Sequence, residues 1–279
     1  MQVLLTSCSK INLGLCLLGK REDGFHELET LMHEVSLSDG LSLEVADKTD
    51  LAVDGKAWDK GLGANSILEA KRLCDEFLGH SSGEWRIELM KHIPFGSGMG
   101  GGSSNAVAML NYIVSLWPKR FSVKDVDQIA AKLGSDTNFF IKGGTSICRG
   151  RGEQIEPLPH RLFYFNLIFP RFSCATPKVF SKVTPDFGDG LDWSELFSSI
   201  LKDRTRNDLE ESCCLAYPEI LRVLTRARSI WAQVSLSGSG STLFSIHEDK
   251  QAADMVFKKL NPLKELDCRV VQAQSFFRA

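Results

Sequence analysis

The chain opens with an apolar run at residues 3–5, and over 11–17 apolar residues alternate with smaller ones, the two-residue period of strands. The Asp23-Gly24 pair marks a turn over 19–24, and residues 30–35 and 41–45 read as further strands. Ile67, Ala70, Leu73 and Cys74 line one side of a helix over 65–77. Residues 85–89 alternate cleanly, as a half-buried strand does. From Ser103 onward Val107, Leu110, Val114 and Trp117 recur at helical spacing. Ser122 and Asp125 are spaced for a capping box, opening a helix with Val126, Ile129, Ala130 and Leu133 on its apolar face. Gly134 is placed to end it as a C-cap glycine. A short helix over 139–142 follows and stops at Gly143-Gly144.

A strand pair flanks Arg149-Gly150-Arg151-Gly152. The prolines of Glu156-Pro157-Leu158-Pro159-His160 predict a linker and a domain boundary there. Beyond it the pattern predicts a buried strand over 163–169 and helices over 176–183, 194–201, 209–216 and 218–228. Strands over 233–237 and 242–247 meet at a Gly/Ser turn, and a helix over 251–260 and a strand over 269–274 finish the pattern. Mixed helices and strands over 279 residues indicate an α/β (α+β) protein of two domains, 1–156 and 157–279.

The charge balance changes the picture mainly by exclusion. A formal net charge of -2 lacks the basic excess of a chain that grips a nucleic-acid backbone, so no nucleic-acid partner is expected. No apolar run approaches the ~20 residues that span a bilayer, and Met1–Thr6 lacks the basic flank of a signal peptide, so the expected location is the cytoplasm, away from membranes. The eight cysteines form no C-x-x-C pair, which argues for free thiols, mostly buried, rather than zinc or thioredoxin-type chemistry.

The densest chemical signal is Pro94-Phe95-Gly96-Ser97-Gly98-Met99-Gly100-Gly101-Gly102-Ser103-Ser104, between a strand and a helix. Glycines let backbone N–H groups approach a ligand closely, and a helix N-terminus offers unpaired donors and partial positive charge. Together they suit a phosphate chain. A ligand-free flexible loop is the plain alternative. The same residues contain G-x-G-x-x-G, but the dinucleotide fingerprint needs a following strand with an acidic residue, and the next segment reads as a helix. No lysine stands between the glycines and Ser103, which removes a Walker A loop.

The loop resembles the P-x-G-x-G-L-G-S/G-S-S segment of the GHMP kinases. Ser9-Lys10-Ile11-Asn12-Leu13, Arg21-Glu22-Asp23-Gly24-Phe25-His26, Leu133-Gly134-Ser135-Asp136 and Leu236-Ser237-Gly238-Ser239-Gly240 are similar, in order, to motifs of the members that act on 4-diphosphocytidyl-2-C-methyl-D-erythritol. The resemblance implies an N-terminal domain like the second domain of ribosomal protein S5, holding ATP, and a ferredoxin-like C-terminal domain for substrate, with the acceptor lying between them. The last strand could return to the first domain. It implies ATP-dependent phosphorylation of the 2-hydroxyl of that cytidyl acceptor, in non-mevalonate isoprenoid synthesis, with Mg²⁺ neutralising phosphate charge. A monomer or weak homodimer is expected.

By the same resemblance Asp136 is the base that takes the hydroxyl proton and Lys10 its partner. Position alone supports equally an N-cap role for Asp136. Residues 94–104 with Asn65, Lys91 and Asn105 are implied on the ATP side, and Ser104 as a contact of phosphate or Mg²⁺. Phe25, His26 and Phe180 are implied around the cytosine, Asn12 and Thr176 near the methylerythritol end, and Gly238 and Gly240 lining the site; otherwise the two phenylalanines read as core residues and His26 as surface. The chain departs from the family at Cys8-Ser9, where Pro-Ala is usual, at Thr137-Asn138, where Val-Pro is usual, and at Phe25, where tyrosine is frequent. Another GHMP kinase, such as one for homoserine or mevalonate, a nicotinamide-dependent oxidoreductase and an inactive nucleotide-binding relative remain the alternatives.

Overall fold

The computed structural model describes residues 2–59, 65–184, 187–188, 190, 192–193, 197, 200–201 and 205–278. The chain forms two compact units. The first comprises Met1–Ser9, Leu37–Pro94 and Gly100–Lys142; the second comprises Lys10–Ser36, Phe95–Met99 and Gly143–Ala279. Two long strands, β1 (Gln2–Lys20) and β2 (His26–Val45), contribute to both. Each replaces two shorter strands expected from the pattern. The apolar alternation lapses at Ser7, Ser9, Lys10 and Asp39, yet these residues are buried, so the strand continues where its hydrophobic signal stops.

In the first unit, residues 40–45 of β2 pair antiparallel with β5 (Trp85–Met90). β5 pairs in parallel with β3 (Asp50–Val53), which pairs with β4 (Lys56–Ala57). Four helices accompany this sheet: α1 (Ser66–Leu78), α2 (Gly101–Leu116), α3 (Val123–Leu133) and α4 (Thr137–Lys142). Leu41, Leu43, Ile87 and Leu89 of the sheet share a core with Ile67, Ala70 and Cys74 of α1 and Met109, Leu110 and Ile113 of α2.

The Asn65 side chain caps α1 by accepting from Ile67 N at 2.9 Å, and the Ser122–Asp125 capping box opens α3 as expected. Gly134 ends α3 at φ 160°, in extended backbone rather than the left-handed conformation expected of it. β3 and β4, four and two residues long, are too short for a two-residue period to show in the sequence.

In the second unit, residues 28–33 of β2 pair with β6 (Thr145–Gly150), and β6 pairs with β7 (Gln154–Leu158). The expected linker at 156–160 is therefore partly strand. β7 ends its sheet order, and an edge strand tolerates Pro157 because one side needs no ladder donor. A second, antiparallel sheet has the order β11 (Cys268–Gln274), β8 (Tyr164–Pro170), β10 (Leu243–His247), β9 (Ser235–Leu236).

The helices here are α5 (Thr176–Phe180), α6 (Leu209–Ala216), α7 (Pro218–Ile230) and α8 (Lys250–Lys259). Ile168, Leu236 and Leu243 pack with Ile220, Val223, Leu224 and Val256 in the core. The helix expected over 194–201 lies for the most part outside the described residues. After β11 the chain reaches β2: Phe276 N donates to Glu34 O at 3.1 Å, and Arg278 pairs with Glu34 at 2.8 Å. All eight cysteines are free, seven of them buried. Among the described residues no helix is long and apolar enough to cross a membrane.

Candidate active site

The glycine loop is shared between the units. Its first part, Phe95–Met99, belongs to the second. There Ser97 O accepts from Thr242 N at 3.3 Å and from Thr242 Oγ1 at 2.7 Å, and Met99 O accepts from Lys10 N at 3.0 Å. Ser97 and Met99 are buried, whereas Phe95 is exposed. Gly98 has φ 76°, and a Cβ on it would stand 2.5 Å from Gly240 O. Only glycine fits both the backbone angle and that approach.

From Gly100 the loop belongs to the first unit and becomes α2. The helix begins at Gly101, two residues before the apolar pattern at Ser103, because its first turn carries glycines that add nothing to a hydrophobic stripe. Gly100 occupies the N-cap with φ 69° and supplies no side-chain cap. The first-turn N–H groups of Gly101, Gly102 and Ser103 thus have no side-chain oxygen from the cap residue, the condition in which a helix N-terminus takes an anion.

A buried polar network underlies this turn. Ser7 Oγ donates to Asn105 Oδ1 at 2.5 Å and is hydrogen-bonded to Ser104 Oγ at 2.9 Å. Asn105 Nδ2 donates to Asp39 Oδ2 at 3.2 Å, and Lys91 Nζ donates to the same oxygen at 2.5 Å. Asp39 Oδ1 accepts from His92 N and Ile93 N, both at 2.8 Å. Burial pushes the Lys91 ammonium below its usual value, against the pull of Asp39. Of the two residues expected beside ATP, Asn105 is buried and Lys91 is half-buried with its side chain only 7% exposed, and their polar groups are bound to other protein groups. They brace the segment that carries the loop. Ser7 and Asp39 lie in the gaps between the strands that the apolar pattern predicts, where sequence spacing carries no signal for them.

Asp136 immediately precedes α4 and is half-buried, and its carbonyl accepts from Phe140 N at 3.4 Å. Thr137 Oγ1 donates to Gly134 O at 2.6 Å and also bonds Ala130 O. These bonds tie the start of α4 to the end of α3, where the family usually relies on proline.

In the second unit Lys10, Asn12 and the 238–240 turn form one arrangement. Lys10 Nζ donates to Asn12 Oδ1 at 2.7 Å, and Asn12 Nδ2 donates to Thr30 Oγ1 at 2.8 Å. Asn12 N donates to Ser237 Oγ at 3.0 Å. Thr176 Oγ1 and Ser239 Oγ are hydrogen-bonded at 2.9 Å. Lys10 and Asn12, two residues apart on β1, have the same facing, as the strand period requires.

The aromatic candidates also meet in part. The rings of His26 and Phe180 stand 5.1 Å apart, and burial, then nearby Lys20, lowers the His26 pKa. Phe25 is 54% exposed and the Arg151 guanidinium lies 4.8 Å over its ring, so one face is already occupied. Arg151 belongs to the Arg149-Gly150-Arg151-Gly152 segment, whose sequence gave no hint of that contact.

Comparison with known proteins accounts for these features together. Residues 65–144 match the GHMP kinases N terminal domain. A 4-diphosphocytidyl-2-C-methyl-D-erythritol kinase of Listeria monocytogenes is 33% identical, with 93% of this chain and 92% of that protein aligned. The kinase of the same description from Persephonella marina is 31% identical over 87% of this chain and 90% of that one. The crystal structure of a 4-(cytidine 5'-diphospho)-2C-methyl-D-erythritol kinase superposes with a TM-score of 0.80 at 31% identity, covering 99% of this chain and 100% of that chain. The chain belongs to the 4-diphosphocytidyl-2-C-methyl-D-erythritol kinases of the GHMP kinase family.

Proposed function

We propose that this chain transfers the γ-phosphoryl group of ATP to the 2-hydroxyl of 4-diphosphocytidyl-2-C-methyl-D-erythritol, a step of non-mevalonate isoprenoid synthesis. The observation that carries the reading is kinship over nearly the whole chain with kinases of that description. It agrees with an α2 N-terminus uncapped by side chain and preceded by left-handed glycines.

In this reading the amides of Gly101, Gly102 and Ser103 hold the phosphate chain. The remainder of 94–104 and Asn65 shape the nucleotide site, with Lys91 and Asn105 beneath it. Asp136 takes the proton of the attacking hydroxyl, and Lys10, oriented by Asn12, offsets charge on the moving phosphoryl group. Phe25, His26 and Phe180 hold the cytosine; Asn12, Thr176, Gly238 and Gly240 hold the methylerythritol end. Functionally, the ATP-binding residues fall within 1–156, and residues of 157–279 hold the acceptor together with Asn12, Phe25 and His26.

Among the described residues no cluster of three His, Cys, Asp or Glu could hold a metal ion. That fits Mg²⁺ carried by the nucleotide's phosphates, with the Ser104 hydroxyl at hand in the first turn of α2. The ion would supply charge neutralisation on the phosphates. A cytoplasmic enzyme, monomeric or weakly dimeric, without nucleic-acid or membrane partners, completes the proposal.

The test is ADP release with a panel of acceptors. Turnover should need the cytidyl acceptor and be inhibited by cytidine diphosphate. Turnover with homoserine or mevalonate instead, or none with any acceptor, would remove the reading.

A further inference from the structure

The 238–240 turn is held by a residue that no motif singled out. Asn207 Nδ2 donates to Gly238 O at 2.8 Å and to Leu236 O at 2.9 Å. Its other amide atom, Oδ1, accepts from Leu209 N at 3.0 Å at the start of α6. Both ends of one side chain are therefore committed, one to the turn and one to a helix.

The backbone around Asn207 is fixed to β1. Leu15 N donates to Arg206 O at 2.9 Å, and Asp208 N donates to Leu15 O at 3.1 Å. The Asp208 carboxylate accepts from Leu17 N at 2.9 Å and pairs with Arg206 at 2.6 Å. β1 also carries Lys10 and Asn12. Segment 206–208 thus registers the strand that presents Lys10 against the turn that faces Asn12.

The tolerance at that contact is small. Gly238 has φ 55°, and a Cβ on it would lie 2.8 Å from Asn12 Oδ1, the atom that receives Lys10 Nζ. Ser237 Oγ accepts from Asn12 N one residue earlier. Ser239, one residue later, meets Thr176. A shift of the turn by a few tenths of an ångström would move Ser237, Gly238 and Ser239 together. Asn207 is the side chain that holds the Gly238 carbonyl against such a shift.

We propose that Asn207 is a positioning residue for the phosphoryl acceptor, acting through the 238–240 turn on Asn12, Thr176 and the Lys10 ammonium. This rests on the reading above that the turn lines the acceptor site. An amide is required because both turn partners are carbonyl oxygens and the α6 partner is an N–H; a carboxylate would satisfy the helix and repel the turn.

Asn207→Asp and Gly238→Ala separate the inference from the reading beneath it. Loss of the two donated bonds in Asn207→Asp should raise the KM for the acceptor about tenfold or more and leave the KM for ATP within about twofold. The defect should shrink as pH falls from about 8 to about 6, because a carboxyl between two carbonyls takes up a proton readily and regains one donor. Asn207→Ser, judged by the same KM split, serves if Asn207→Asp does not fold. Kinetics like the parent's in the Asn207 variants, with acceptor KM raised in Gly238→Ala, would overturn the inference and leave the turn in the acceptor site. A silent Gly238→Ala would overturn both. Equal rises in both KM values with a lowered Tm would mark Asn207 as merely structural, and also overturn the proposal.

Discussion

Lys91 and Asp39 form an ion pair sealed inside the first unit, with Nζ 2.5 Å from Oδ2 and side chains 7% and 0% exposed. Asp39 also receives His92 N and Ile93 N, which lead into the glycine loop. Replacing Lys91 by Met leaves a buried carboxylate with only neutral donors. Removing one member of such a pair costs about 3–5 kcal/mol. Urea unfolding should record that loss, and the KM for ATP should rise in the variant that remains folded. A stability change below about 1 kcal/mol would mean that the pair is not desolvated as its burial implies.

Gly98 and Gly102 predict opposite outcomes for the same substitution. At Gly98, φ is 76° and a Cβ would stand 2.5 Å from the Gly240 carbonyl. At Gly102, a Cβ would have its nearest contact with Ser66 Oγ at an ordinary 3.6 Å. Gly98→Ala should therefore distort the loop and raise the KM for ATP, at a cost of about 1–3 kcal/mol in backbone strain. Gly102→Ala should fold as well as the parent or better, since alanine favours the helix by about 1 kcal/mol. Calorimetry of the two proteins decides it, and equal Tm values would refute the contrast.

Asp136 and Lys10 are the proposed chemical groups, so turnover measured on folded protein is the readout for their variants. Asp136→Asn removes the proton acceptor, and kcat should fall by about 10²-fold or more. Lys10→Ala should give a fall of the same order. Full turnover in both folded proteins would return Asp136 to the role of helix cap.

The long elements were legible because their apolar faces repeat: α1, α3, β5, β8 and β10 lie within a few residues of the sequence pattern. The losses have physical causes. β1 and β2 were cut short where buried polar residues, Lys10 and Asp39 among them, interrupt the alternation. β7, the second strand of the expected pair, runs on into the predicted linker because an edge strand accommodates Pro157. At the site, the glycine loop and the Lys10, Asn12 and Asp136 motifs were visible as strings. The Asp39, Ser7 and Asn207 supports were not, because each bonds residues more than 25 positions away and sequence spacing carries no trace of it.

The segment after Asp136 shows how this chain manages without the usual Val-Pro pair. Thr137 Oγ1 bonds the Gly134 and Ala130 carbonyls, while Asn138 Oδ1 is buried and, among the described residues, has no hydrogen-bond partner. Thr137→Val should cost about 1–3 kcal/mol, the penalty of lost buried hydrogen bonds, and lower kcat by loosening Asp136. Asn138→Pro should stabilise by about 0.5–1 kcal/mol, because the first turn of a helix tolerates proline and the unfolded chain loses freedom. Thermal unfolding of both variants tests the pair; a destabilised Asn138→Pro would show that its N–H is needed.

His247 gives the pH dependence its sign. The ring is buried, and its Nε2 lies 3.1 Å from Asn166 Nδ2 and 2.8 Å from Ser245 Oγ, an environment for a neutral imidazole. Burial pulls its pKa down to about 4, with Asp249 opposing weakly. The unfolded chain would titrate this residue near 6.5. Below that pH the unfolded state binds a proton that the folded state refuses, so stability declines from about pH 6.5 and levels off below about 4. The full effect of this one residue is about 3 kcal/mol. His33 and His160, also lowered by burial, act in the same direction. Urea unfolding between pH 7 and about 4.5 should show the parent losing stability faster than His247→Gln. Parallel slopes for the two proteins would mean that the buried ring accepts its proton in the folded state.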